Sequence, residues 1–295
     1  MMSLQPPAAR RARLRRIPLF LAVVPLLAIV IPVAACGSGG GGLDYPTSQT
    51  DVVVQVSVGG GFVPVEYNLT QIPGFTLYGD GTVVVTGPQI EIYPPPALPN
   101  LQTTTISAEA IQEMLSQAKE AGLFANDVDY GQPAVTDMPT TTITINAGGA
   151  TYVSDLYALG MEQGATGLTA DQQQARATVI TWESRLYDLT AFEPGETVWE
   201  EYEFTDLAVF SLPFDPSTAP DETDVQPNRL DWPLGDLSTL GAPVQPQGYR
   251  KVVVSGADLD TLRPLLEQAT WITLWKAGDR EYHLYFRPLL PHESA

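Results

Sequence analysis

The chain has one cysteine, Cys36, and two histidines, His283 and His292, among its 295 residues. A single thiol excludes an intrachain disulfide and a zinc site built on paired thiolates. Two histidines leave little material for a general base. No serine elbow, H-E-x-x-H, P-loop or dinucleotide fingerprint occurs. Positive charge is scarce too, with three lysines and twelve arginines against 34 acidic residues. Five arginines fall within the first sixteen residues, so the remainder carries 10 basic and 34 acidic groups, a formal −24. That balance repels phosphate backbones and disfavours nucleic acid as a partner. It also disfavours a polybasic grip on anionic lipids. Without disulfides the body must rely on its core, and a 44% hydrophobic composition suffices for one large core or two smaller ones.

What is present begins at the N-terminus. Arg10, Arg11, Arg13, Arg15 and Arg16 precede nineteen uncharged residues, Ile17 to Ala35, interrupted by Pro18, Pro25 and Pro32. This is the charged and then apolar order of a secretory signal, and the arginine cluster keeps the leader's start cytoplasmic. The apolar run ends in Val33-Ala34-Ala35-Cys36, followed by a glycine run to Gly42 broken by Ser38. The tetrapeptide resembles the lipobox of bacterial lipoproteins. That resemblance implies that a signal peptidase recognises Val33, Ala34 and Ala35, cuts after residue 35, and leaves Cys36 as a diacylglyceryl-modified N-terminus. It implies a body on the extracytoplasmic side of the cell membrane, since two acyl chains anchor stably where one does not. The alternative is an uncleaved anchor, because nineteen helical residues span about 28 Å. Leu77-Tyr-Gly-Asp-Gly81, Ala121-Gly-Leu-Phe124 and Arg287-Pro-Leu-Leu-Pro291 are also similar to segments of lipoproteins of GC-rich, actinobacterial genomes. Those have no assigned activity, so the resemblance gives a class and no mechanism.

Residues 36–50 read as a lipidated cysteine and a flexible Gly/Ser tether, spanning about 20 Å root-mean-square. The body then opens with a strand at Asp51 to Val58 and a second through Val63, Val65 and Tyr67. A hairpin follows, Phe75 to Tyr78 and Thr82 to Val85, around Gly79-Asp80-Gly81, where Asp80 shapes the turn. A strand from Thr103 to Ile106 leads to a helix from Ala108 to Ala121, with Ser107 as N-cap and Gly122 as stop. Thr140 to Ile145 pairs with Thr151 to Leu159. A second helix follows Thr169, whose capping box closes on Gln172 and whose apolar face includes Ala175, Val179, Trp182, Leu186 and Leu189.

From Glu193 the pattern shifts to a long strand, Val198 to Ser211, and then a 35-residue loop, 212–246, holding seven prolines. A strand at Lys251 to Val254, a helix at Leu259 to Ala269 with Pro264 in or near its first turn, and a hairpin at Thr270 to Pro288 complete the body. The strand, helix and hairpin order echoes the first half, as Leu115-Ser-Gln-Ala118 echoes Leu266-Glu-Gln-Ala269. The expected fold is α+β, with antiparallel sheets carrying helices on one face. It divides into two lobes, 51–192 and 193–295, after the signal peptide 1–35 and the tether.

Candidate chemistry is thin. Ser116-Gln-Ala-Lys119, Ser154-Asp155 and Lys276-Ala-Gly278 superficially resemble the three motifs of penicillin-binding proteins. That family's serine opens its helix, whereas Ser116 falls in the third turn, Leu156 replaces the expected asparagine, and Lys276 sits at a hairpin turn. His283 alternates with Tyr282 and Leu284, which places it with Glu281 on a solvent-facing side of the last strand. Asp127 and Asp129 resemble part of a calcium loop, and Asp221, Glu222 and Asp224 form a second acidic patch, but neither has a full ligand set. No cofactor is implied. The expectation is therefore a non-catalytic binding or assembly module that offers a sheet face or the 212–246 loop to an envelope protein or wall component. An envelope hydrolase with a site near His283 or Ser116 is the alternative.

Overall fold

Alternating apolar residues build most of the strands of the first half. The computed structural model describes residues 42–162, 164, 166–218 and 225–294. Within these, β1 (Val52–Gly59), α1 (Val65–Thr70), β2 (Phe75–Tyr78), β3 (Thr82–Thr86), β4 (Leu101–Thr105) and α2 (Ala108–Glu120) come first. They are followed by β5 (Thr140–Ala147), β6 (Ala150–Tyr157), α3 (Ala170–Leu186) and β7 (Glu200–Glu201). The strands form one antiparallel sheet in the order β6-β5-β1-β2-β3-β4-β7.

The helices cover one face of this sheet. Ser107 Oγ accepts the Ala110 N–H at the start of α2, and Gly122, at φ +83°, lets Leu123 N–H return to the Ala118 carbonyl at 3.0 Å. Ile111, Met114 and Leu115 of α2 and Val179, Trp182 and Leu186 of α3 are buried over Val54, Val56, Phe75, Leu77, Ile143 and Ile145. Each such side chain contributes about 1.5–3 kcal/mol on burial. The Thr169–Gln172 capping box fixes the start of α3, and Trp182 Nε1 donates to the Met114 carbonyl across the two helices.

The second sheet contains β8 (Asp206–Pro213), β9 (Arg229–Asp231), β10 (Ala242–Val244), β11 (Tyr249–Ser255), β12 (Leu274–Ala277) and β13 (Arg280–Pro288), with α4 (Gly256–Leu266) between β11 and β12. Its order is β10-β11-β8-β13-β12-β9, antiparallel except for the β9–β12 pair, which is parallel. Leu259, Leu262 and Leu266 of α4 pack on Leu207, Val209, Trp275 and Phe286. The fold is thus α+β, and both sheets belong to one compact unit.

Four local readings are corrected. The segment around Val65 and Tyr67 is the helix α1, not a strand: Pro64 sets an extended N-cap with φ −54°, and Glu66 lies in the first turn. The run Val198 to Ser211 is broken, since Tyr202 to Thr205 carries the chain from β7 in one sheet to β8 in the other. Pro264 lies two residues before the end of α4, because that helix starts at Gly256 directly after β11. Near the C-terminal end its missing N–H removes a single helical bond. The outer face of β13 is not open to solvent: α1 lies over it, with Tyr67 and Trp271 rings 5.2 Å apart and Tyr285 buried with Phe210 and Tyr249. His283 is therefore half-buried, between Phe214 and Tyr285.

The sheets are joined by residues after β13. Leu290 is buried with Tyr78 and Val84 on the outer face of β2 and β3. Arg287 donates to the Gln71 carbonyl at 2.7 Å and makes a two-pronged ion pair with Glu293 at 2.6 and 3.0 Å. His292 Nδ1 lies 2.8 Å from the Tyr78 hydroxyl.

Candidate functional site

The strand alternation that buries Ile143 and Ile145 under the helices turns Thr140, Thr142, Thr144 and Asn146 to the opposite face. Register extends the row sideways. Ser57 lies opposite Thr142 and Gln55 opposite Thr144 on β1, while Asp155 lies opposite Thr142 and Thr151 opposite Asn146 on β6. The result is a grid of hydroxyls and amides around the Asp155 carboxylate, on a face opposite to the one that α2 and α3 cover.

Three clefts follow this face. One of about 660 Å³ sits at its start, lined by Asp44, Asp51, Val52, Asn146, Thr151 and His292. One of about 380 Å³ lies between the sheet and α1, lined by Gln55, Ser57, Asn68, Gln71, Thr142 and Arg287. The third, about 650 Å³, shares Thr140 with the second and is walled by Asp129, Tyr130, Asp155 and Tyr157. The second and third meet at Thr140 and the first lies further along the same strand; this face with its clefts, flanked by α1 and the C-terminal residues and by the 128–132 loop, is termed the trough.

Some of its polar groups are committed to each other. Thr142 donates to Asp155 at 2.6 Å, Thr151 to Asn146 at 2.6 Å, and the Asn146 amide to the Val52 carbonyl at 2.9 Å. In contrast, the hydroxyls of Ser57, Thr140 and Thr144 and the side-chain amides of Asn68 and Gln71 have no hydrogen-bond partner among the described residues. The charged groups beside α1 and the C-terminal residues are compensated or suppressed, whereas Asp44 and Asp51 of the first cleft and Asp129 and Asp155 of the third pair with no cation among the described residues. Burial raises the Glu293 carboxyl, but the Arg287 hydrogen bonds and the Leu290 N–H outweigh this and hold it below the usual range. Burial pushes His292 below the ordinary imidazole value against the pull of Glu293, so its ring is mainly neutral at pH 7.

Arg176 positions the third cleft, and the sequence reading missed it. It is 1% exposed, pairs with Glu162 at 2.8 Å, and donates to the carbonyls of Tyr130 and Tyr157, the two tyrosines that wall the cleft. Its signal was an arginine three residues before Val179, on the apolar stripe of α3. The threonine row is equally visible in the sequence as a period of two in Thr140 to Asn146.

The other sequence candidates are not brought together. Ser116 and Lys119 are exposed on α2, Ser154 is buried on the helix-covered side of β6, and Lys276 is on β12 of the second sheet. Neither Ser116 nor His283 lines any of the three clefts. Burial pushes His283 below its ordinary range, opposed by Glu66, and Glu281 pairs with Arg229 rather than with the imidazole. Glu66 instead accepts the Tyr249 hydroxyl. Asp129 uses both oxygens, one on the Gly131 N–H at 2.9 Å and one on Gln172 at 3.0 Å, tying its loop to the first turn of α3. Asp127 is exposed beside it, and no group of three metal-ligating side chains occurs among the described residues. Asp80 accepts the Thr82 N–H at 2.9 Å and shapes its turn. Asp221, Glu222 and Asp224 lie outside the described residues, as do Val33, Ala34, Ala35 and Cys36. Within the 212–246 segment, Trp232 is buried against Trp275, with ring centroids 6.0 Å apart.

The chain is fixed to the body earlier than its composition suggests. The Gln112 side chain bonds both the N–H and the carbonyl of Leu43 at 2.8 Å, Tyr45 packs on the first core, and Asp44 accepts the Gly148 N–H. Among the described residues no helix is long and apolar enough to cross a membrane. Comparison with protein-family models, curated proteins and solved structures returned no match.

Proposed function

We propose that this chain is an extracytoplasmic lipoprotein, held to the cell membrane through a diacylglyceryl group on Cys36, whose body is a non-catalytic binding module for a component of the cell envelope. The observation that carries the binding part is the trough. It combines unpaired hydroxyls and amides, a rigid sheet floor and clefts along its length, the arrangement of a recognition surface. The anchoring part rests on the arginine cluster, the uncharged run and Val33-Ala34-Ala35-Cys36.

The test has two arms. Metabolic labelling with an alkynyl palmitate marks the wild-type chain, while Cys36→Ala stays unlabelled and keeps its leader; equal labelling of both refutes the anchor. In the second arm, full-length protein in detergent is mixed with purified cell-wall sacculi and centrifuged. Co-sedimentation supports the wall-directed form of the reading, and full recovery in the supernatant counts against it.

A further inference from the structure

We infer that the trough binds an uncharged oligosaccharide, lying along β5 in contact with Ser57, Thr140, Thr144, Asn68 and Gln71. This rests on the envelope-binding reading above and names the ligand class of the same site.

The argument starts from charge. Arg287, the cation lining the middle cleft, is spent on Glu293 and the Gln71 carbonyl, and Asp155 accepts the Thr142 hydroxyl. An anionic ligand thus finds no free cation here, and a body with 34 acidic groups repels polyanions, while the carboxylates of the first and third clefts lie to either side of the middle one. Over the middle cleft and the adjoining part of β5 the free groups, Ser57, Thr140, Thr144, Asn68 and Gln71, are neutral and of one kind. Hydroxyls and carboxamides both donate and accept, which is what a chain of sugar hydroxyls requires of its partner. A polyol also supplies partners to five side chains that have none within the described fold.

Shape points the same way. From Thr140 to Asn146 the strand extends about 20 Å, long enough for several sugar units. A peptide ligand is disfavoured by two features. Strand addition needs an open sheet edge, and the middle of the β6 edge is blocked by Asn126, which accepts the Val153 N–H and donates to the Thr151 carbonyl. Protein interfaces also centre on aromatic or arginine anchors, whereas the Tyr157 hydroxyl is already held between the Val135 carbonyl and the Met138 N–H.

The experiment uses full-length protein in detergent on an array of neutral, acidic and amino oligosaccharides beside a library of extended peptides, with the best probe titrated by calorimetry. The expected result is binding to a neutral oligosaccharide that weakens about tenfold in the Ser57→Ala, Thr140→Val, Thr144→Val triple variant, consistent with loss of three hydroxyl contacts. Thr178→Ala on α3 leaves it unchanged. The separate Asn68→Ala variant, on exposed α1, weakens binding about threefold and serves if the triple variant misfolds. Absence of neutral-sugar binding, preference for acidic sugars, or a peptide bound and released by the triple variant overturns the inference. Retained sacculus co-sedimentation in those cases leaves the envelope reading standing, whereas its loss with retained sugar binding removes the wall and keeps the ligand.

Discussion

Asn126 holds the free edge of β6 as a second strand would: its side chain accepts the Val153 N–H at 2.8 Å and donates to the Thr151 carbonyl at 3.3 Å. An exposed eight-residue edge strand is a template for pairing with another chain, and Asn126 occupies two of its outward backbone groups. Replacing Asn126 by Ala removes two water-accessible bonds and costs about 1 kcal/mol in urea unfolding. The larger effect is concentration-dependent self-association by size-exclusion chromatography; an unchanged elution profile at high concentration contradicts the protective role.

Arg176 is the buried charge on which the third cleft depends. Arg176→Met leaves Glu162 unpaired and two carbonyls without their donor, for a loss of about 3–4 kcal/mol in unfolding free energy. Arg176→Lys recovers little, since a single ammonium does not span three acceptors in a planar fork. If the lysine variant unfolds at the wild-type urea midpoint, the fork geometry is not what stabilises the site.

The C-terminal contacts make stability depend on pH in two windows. Burial holds His283 and His292 below the ordinary imidazole value of about 6.5 in the folded chain. The unfolded chain therefore binds more protons just below that value, and stability declines as pH falls from about 6.5 toward the folded values. Glu293 is also depressed, below 4.5, so its contribution is present above that value and is lost as pH falls through its folded value. Urea midpoints measured from pH 8 to 3 show two descending steps. His283→Asn with His292→Asn flattens the upper one and Glu293→Gln the lower; a profile unaffected by these changes rejects the assignment.

Two glycines separate backbone strain from lack of room. Gly81 has φ +92°, and a Cβ there would meet the Ile106 carbonyl oxygen at 2.3 Å, whereas Gly122 has φ +83° and open space around it. Gly122→Ala thus costs about 1 kcal/mol from conformation alone. Gly81→Ala costs at least about 2 kcal/mol more, because the β2–β3 turn must shift from the end of β4. Equal thermal shifts for the two variants contradict this ordering.

Local chemistry made much of the fold legible. Ser107, Thr169 and Gln172 mark helix starts, Gly122 marks an end, and Asp80-Gly81 and Gly148-Gly149 mark hairpins, all of which the structure contains. The misreadings fall where distant residues decide. Val63 and Val65 alternate like a strand, but α1 forms where Pro64 sets the cap and the second sheet offers Tyr285 and Trp271 as a floor. His283 looked solvent-facing because nothing near it in sequence predicts α1 above it. The trough was half legible: the threonine period specifies a polar face, but which side walls it follows from contacts such as Arg287 to Gln71, 216 residues apart.

The clamp of Gln112 on Leu43 finally sets a ruler length. Six residue steps separate Cys36 from Gly42, which gives an extended reach of about 20 Å. A tether running to residue 50 would have let the body roam. If Cys36 carries the proposed acyl group, the body's first fixed residues lie within that reach of the anchor. Under the proposed anchoring, the ligand would have to be present within that distance of the membrane.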